Sequence, residues 1–77
     1  MEISSIRMEI IRLVGLQLGS RRVESNQRLI EDLGAESADI ANIVAALEDK
    51  YHITITETEI AQLRSVSDLV HLVAARI

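Results

Sequence analysis

The chain has 77 residues, 48% of them hydrophobic with Tyr51 the sole aromatic, and this length predicts one small domain over residues 1–77. It has no cysteine and only two separated histidines, which argues against disulfides and against a metal site. The sequence has neither ~20 consecutive apolar residues nor the basic start of a signal peptide, so we expect a cytoplasmic protein without membrane insertion. The net charge of −4 is uneven, with nine acids and three bases in residues 29–77, which disfavours nucleic acid and favours basic protein surfaces as partners.

The first predicted element is a helix from about Ser4 to Leu18, with Ser4 or Ser5 as its N-cap. Gly19 is well placed to end it in a left-handed conformation. Leu16 and other apolar residues outside the main stripe indicate that much of the helix is buried. The stripe expected to face the core consists of Ile3, Ile6, Ile10, Leu13 and Val14.

A long connection follows, over residues 20–34, with turn-forming residues and weak periodicity. We expect Leu29, Ile30 and Leu33 to reach the core. That burial would pin the connection to the rest of the domain. A loop of this length in a compact domain indicates that the loop has a functional role.

The second helix is predicted from about Ser37 to Tyr51. Ser37 fits as its N-cap, and Glu36 and Asp39 complement the positive end of the helix. Glu48 is expected to face away from the core. The predicted buried stripe consists of Ile40, Ile43, Val44, Leu47 and Tyr51.

The remaining chain predicts an extended linker at residues 52–55 and two further helices. Thr56 and Glu59 have capping-box spacing, which predicts a short helix from about Glu57 to Leu63. Ser65 and Asp68 repeat that spacing before a final helix that ends at about Arg76. Its expected inward residues are Val66, Leu69, Val70, Val73 and Ile77. The fold class is therefore all-α, with three longer helices, one short helix and a long loop between the first two.

The sequence offers little for an enzyme. His52 lies about four turns from Ser37 along the predicted helix, too far for a Ser-His-Asp arrangement. His71 falls on a polar face of the last helix, and the three glycines do not form a phosphate-binding loop. We therefore expect a protein that is not an enzyme. Ser37 remains as a structural cap, an attachment point, or both.

The segment Leu33-Gly34-Ala35-Glu36-Ser37-Ala38-Asp39 resembles the acyl carrier protein motif Leu-Gly-Ala-Asp-Ser-Leu-Asp. The likeness extends in register to residues 17–19, 29–34, 46–51, 53–55 and 65–70, so it covers nearly the whole chain. It implies a four-helix bundle of acyl-carrier type. It also implies that Ser37 carries a covalent 4′-phosphopantetheine arm through a phosphodiester. The end of that arm would hold an acyl chain as a thioester.

The resemblance also implies partners and a cargo site. The expected partners are a phosphopantetheinyl transferase and acyl-transferring or synthase enzymes with basic docking patches, serving fatty-acid, lipid or polyketide-type biosynthesis. The carrier is expected to be a monomer. The docking residues implied are Glu36, Ala38, Asp39, Glu48 and Asp49. The acyl-pocket residues implied are Ile43, Leu47, Ile55, Ile60 and Leu63.

Several positions depart from the family pattern. Glu36 stands in place of aspartate and Ala38 in place of leucine or methionine. Asn42 replaces a glutamate, Lys50 interrupts the acidic run, and Thr56 replaces a common proline. These departures favour a specialised carrier. An aminoacyl or peptidyl carrier, and an unmodified module that binds a partner through the same fold, stay open as alternatives.

Overall fold

The computed structural model describes residues 2–20 and 22–77 and contains four helices in this range. They are α1 (Ile3–Leu18), α2 (Ser37–Tyr51), α3 (Glu57–Gln62) and α4 (Val66–Arg76). No strand occurs among these described residues, so the all-α prediction is confirmed. The longest connection is the one between α1 and α2, as predicted. None of the helices in the described ranges is both long and apolar enough to cross a membrane.

The core is aliphatic and is built by α1, α2 and α4, with help from the loops. α1 packs against both α4 and α2, while α3 contributes no buried residue. The buried hydrophobic residues are Ile6, Ile10, Val14, Leu29, Ala35, Ile43, Val44, Leu47, Ile55, Val66, Leu69, Val70 and Val73. Burial of this apolar surface is the main stabilising term for so small a chain.

Four residues expected in the core are instead substantially exposed. Ile3, the first residue of α1, and Ile77, the C-cap of α4, are 44% and 50% exposed. Leu16 is 68% exposed since it lies two residues from buried Val14, about 200° around the helix. Ile30 is 56% exposed because the adjacent Leu29 occupies the core.

The helix ends confirm most of the predicted caps. Gly19 is left-handed, with φ 66°, and ends α1. Thr56 and Ser65 accept from the backbone N–H groups of Glu59 and Asp68, so both predicted capping boxes are present. The prediction for the start of α1 is wrong. Its N-cap is Glu2 rather than a serine, because the Glu2 carbonyl already accepts the N–H of the fifth and sixth residues.

The loop between α1 and α2 is fixed by backbone hydrogen bonds to the connection between α3 and α4. The Leu29 N–H donates to the Arg64 carbonyl at 2.8 Å, and the Leu29 carbonyl accepts the Ala35 N–H at 2.9 Å. The Val66 N–H donates to the Gln27 carbonyl at 3.0 Å. These bonds, with the burial of Leu29, hold the chain that leads into α2.

Candidate functional site

The start of α2 differs in one respect from the sequence prediction. Glu36, not Ser37, is the N-cap: its backbone is extended (φ −96°, ψ 168°) and its carbonyl accepts the Ile40 N–H. The Asp39 carboxylate accepts the Glu36 N–H at 2.9 Å. Ser37 is therefore the first helical residue, and the expectation that its hydroxyl caps the helix is wrong.

The Ser37 hydroxyl is exposed and makes no hydrogen bond within residues 2–20 and 22–77. Its backbone is nevertheless fixed, because it lies in the first turn of a 15-residue helix. The N-terminus of a helix favours negative charge through its unpaired N–H groups and its dipole. A phosphodiester on the Ser37 oxygen fits these surroundings, since the oxygen has no structural partner to lose.

A cavity of about 300 Å³ opens beside Ser37, between the start of α2, α3 and the loop before α2. Ile40 and Ala41 follow Ser37 by three and four residues, which places all three on one face of α2. The walls of the cavity are mainly aliphatic. The lining residues are Ile30, Ser37, Ile40, Ala41, Ile60, Ala61, Leu63 and Arg64.

The five acyl-pocket residues suggested by the resemblance fall into two groups. Ile60 and Leu63 line this cavity. Ile43, Leu47 and Ile55 are buried in the core at 6% exposure or less and are not among the lining residues. The cavity in this conformation is therefore a surface recess beside Ser37.

Other cavity residues were missing from the sequence prediction. Ile40 and Ala41 could have been found from helical spacing, because they share a face with Ser37, whereas Ala61 is only the sequence neighbour of the predicted Ile60. Ile30 and Arg64 have no such local signal. They reach the cavity because the backbone bonds of Leu29 bring two distant connections together.

The five predicted docking residues are not equivalent. Glu36, Ala38 and Asp49 are exposed. Asp39 is half-buried and accepts hydrogen bonds from the Glu36 N–H and, at 3.2 Å, from Gln17 Nε2. These two bonds, the backbone one being the stronger influence, hold the pKa of the Asp39 carboxyl below its usual range.

Glu48 also has a structural contact that the sequence did not indicate. Its carboxylate accepts the N–H of buried Ile55 at 2.8 Å. Glu48 therefore ties the end of α2 to the linker before α3, whereas it had been expected to face away from the core. Asp49, next to it, is exposed and makes no hydrogen bond within the described part of the chain.

The histidines lie apart from the site. His52 ends α2 in a left-handed conformation (φ 55°), and both His52 and His71 are exposed. Among residues 2–20 and 22–77 there is no group of three or more potential metal-ligating side chains. The chemistry available at the start of α2 is thus that of one free hydroxyl beside an apolar recess.

Comparison with known proteins places these features in a family context. The family described as "Phosphopantetheine attachment site" matches residues 4–73. An acyl carrier protein from Campylobacter curvus is 38% identical over 58 residues, which cover 75% of each chain. One from Chlamydia caviae is 32% identical over 74 residues, covering 94% of this chain and 96% of its own.

Solved structures show the same likeness. A candidate acyl carrier protein from Mycobacterium tuberculosis superposes with a TM-score of 0.87 at 27% identity, covering 91% of this chain and 96% of that one. An acyl carrier protein from Thermotoga maritima superposes with a TM-score of 0.82 at 26% identity, covering 99% of this chain and 91% of that one.

Proposed function

The chain belongs to the acyl carrier protein family, and we propose that Ser37 is the residue to which its 4′-phosphopantetheine arm is attached. Members of this family are carriers, not enzymes, and act together with transferase and synthase enzymes. When bound, the arm supplies a terminal thiol that holds an acyl chain as a thioester. The single observation that carries the assignment concerns the Ser37 hydroxyl. It is exposed on the fixed first turn of α2 and makes no hydrogen bond with the described residues.

Attachment requires one nucleophilic substitution at phosphorus. The Ser37 oxygen forms a bond to the phosphorus that bears pantetheine in coenzyme A, and the pyrophosphate bond breaks. Adenosine 3′,5′-bisphosphate leaves, and the hydroxyl proton passes to a base of the transferase or to water. Because the hydroxyl does not cap α2, this substitution removes no hydrogen bond among those described in the helix.

The cavity supports an acyl cargo over an aminoacyl one. Six of its eight lining residues are aliphatic, and Ser37, from which the arm would extend, is one of the other two. Aliphatic walls favour a hydrocarbon chain, because its burial removes apolar surface from water. An aminoacyl group would bring a charged ammonium to the same walls without a carboxylate among the lining residues to pair with it.

The docking surface that we propose is the exposed acidic part of α2 and its N-cap. Glu36 and Asp49 are the exposed acids of this surface. The small side chain of exposed Ala38 does not obstruct the approach of a partner to them. Asp39 and Glu48 add negative charge, but their carboxylates also hold the backbone. The partners proposed are a phosphopantetheinyl transferase and acyl-handling enzymes with basic patches, acting on a single cytoplasmic carrier domain that is monomeric.

Incubation with coenzyme A and a broad-specificity phosphopantetheinyl transferase tests the assignment. The intact mass of the protein should rise by one arm, and Ser37→Ala should abolish the rise. Ser5→Ala, a change of an exposed serine on α1, is the matched control and should be modified like the wild type. An unmodified wild-type protein with every transferase tried would favour a partner-binding module instead.

A further inference from the structure

The cavity beside Ser37 has one charged residue on its wall, Arg64. Every other lining residue is aliphatic except Ser37 itself. A guanidinium at the edge of an apolar recess has no cargo to recognise if the cargo is a hydrocarbon. Arg64 lines the same cavity as Ser37, so a group attached to the Ser37 hydroxyl is what its charge could serve.

Arg64 also differs from the other basic residues of this part of the chain. Residues 29–77 contain three bases, and two of them are engaged. Lys50 pairs with Glu9 at 3.0 Å, and Arg76 forms an ion pair with Glu59. The Arg64 side chain has no ion pair or hydrogen bond with any other residue of ranges 2–20 and 22–77.

The backbone of Arg64 is held although its side chain is not. Its N–H donates to the Asp68 carboxylate at 2.9 Å, and its carbonyl accepts the N–H of buried Leu29 at 2.8 Å. The Leu29 carbonyl in turn accepts the Ala35 N–H, two residues before Ser37. A short, continuous set of backbone bonds therefore fixes the origin of the Arg64 side chain relative to Ser37.

A phosphodiester on Ser37 would add negative charge beside two acids, Glu36 and Asp39. Like charges this close disfavour one another, and the helix N-terminus alone offsets only part of the effect. Arginine has a planar fork of N–H donors that matches phosphate oxygens and stays charged at all ordinary pH values. We infer that Arg64 is a positioning residue that pairs with the phosphodiester of the modified Ser37 and thereby orients the arm along the cavity.

This inference depends on the proposed attachment at Ser37, and one experiment separates the two. Protein labelled with nitrogen-15 is loaded with the arm by incubation with coenzyme A and a transferase. Intact mass verifies that the arm has been added. NMR then records the Arg64 Nε–Hε resonance before and after loading, and the phosphorus resonance of the arm. No acyl group is attached, so the phosphodiester is the sole anion introduced.

We expect the Arg64 Nε–Hε resonance to move on loading, and the movement to shrink at about 1 M salt, where charges are screened within about 3 Å. Arg64→Gln should shift the phosphorus resonance, and Arg64→Lys should shift it less because the charge is kept. Arg22→Gln, which changes another exposed arginine without a described ion pair, is the control and should leave the phosphorus resonance in place.

A loaded protein whose Arg64 resonance does not move, with the same phosphorus resonance in Arg64→Gln, would overturn the role of Arg64 alone. A protein that gains no mass would overturn the attachment at Ser37 and the role of Arg64 together. The wild-type comparison of loaded and unloaded forms needs no variant, so it stands even if Arg64→Gln folds poorly.

Discussion

At the residue scale, what the site can do depends on which residue caps α2 and which residue keeps an unbonded hydroxyl. Sequence reasoning gave the cap to Ser37, since serine is among the preferred N-cap residues and glutamate is not. The backbone instead places Glu36 at the cap, and Asp39 completes the turn. The Ser37 hydroxyl, which is proposed for attachment, therefore has no capping role. The sequence could not reveal this, because the predicted cap differs from the observed one by a single residue.

This arrangement predicts unequal stability effects at two positions of the same turn. Ser37→Ala should change the free energy of unfolding by about 0.5 kcal/mol or less, as exposed surface substitutions do. Asp39→Ala should lower Tm by a few degrees, because the Glu36 N–H and Gln17 lose their acceptor. Thermal unfolding followed by circular dichroism measures both. Equal losses in the two variants would mean that the Ser37 hydroxyl caps α2 after all.

The adjacent acids Glu48 and Asp49 should also separate. Glu48→Ala removes the acceptor of the buried Ile55 N–H, so we expect a loss of about 1–3 kcal/mol in the free energy of unfolding. Asp49→Lys should leave Tm nearly unchanged and slow modification by a transferase with a basic docking patch. Denaturant unfolding and a time course of intact mass supply the two readouts. An unchanged rate in Asp49→Lys would remove Asp49 from the proposed docking surface.

At the scale of elements, α3 is held differently from the other helices. It contributes no buried residue and is fixed by its capping box and by Arg76 of α4. The Arg76 guanidinium pairs with Glu59 and also donates to the Thr54 carbonyl. Since α3 forms a wall of the cavity and has no buried residue, we expect this wall to be the more mobile side of the recess.

Amide hydrogen exchange should reveal this difference. We expect the amides of α3 to exchange faster than those of α1, α2 and α4, because few buried contacts oppose local opening. Arg76→Ala should increase exchange in α3 while leaving α1 unchanged, and Arg22→Ala serves as the control. If α3 were protected as strongly as α1, the cavity wall would be as rigid as the core.

A second link between elements predicts a dependence on pH. Glu9 of α1 pairs with Arg12 and, across to α2, with Lys50. Hydrogen bonds from Arg12 and then Lys50 lower the pKa of the Glu9 carboxyl from its ordinary 4.5 to about 2. A carboxyl whose pKa is lowered by folding stabilises the folded state above its unfolded pKa, and this contribution fades as the pH falls from 4.5 toward 2.

The comparison of Glu9→Gln with the wild type measures this contribution. At pH 7 the variant should have the lower Tm, and the difference between the two proteins should decrease as the pH falls below 4.5. Glu24→Gln, at an exposed acid without a described ion pair, should show no such trend. A Tm difference for Glu9→Gln that is constant between pH 7 and pH 3 would contradict the proposed link.

At the scale of the whole molecule, the helices were predictable and the loop contacts were not. Helix bounds follow from local signals, namely apolar periodicity, the Thr56 and Ser65 caps and left-handed Gly19, and the structure confirms them closely. The exposure of Ile30 and the position of Arg64 depend on hydrogen bonds between two distant connections. No local pattern encodes that pairing, so the cavity wall required the fold.

The most direct test of the account is to locate the arm within the protein. Trypsin, which cleaves after arginine and lysine, releases residues 29–50, and Ser37 is the only residue with a hydroxyl group in this fragment. After loading with coenzyme A and a transferase, mass spectrometry should find one phosphopantetheine arm on residues 29–50 and on no other fragment. An arm recovered on a different fragment, or on none, would contradict the assignment of Ser37.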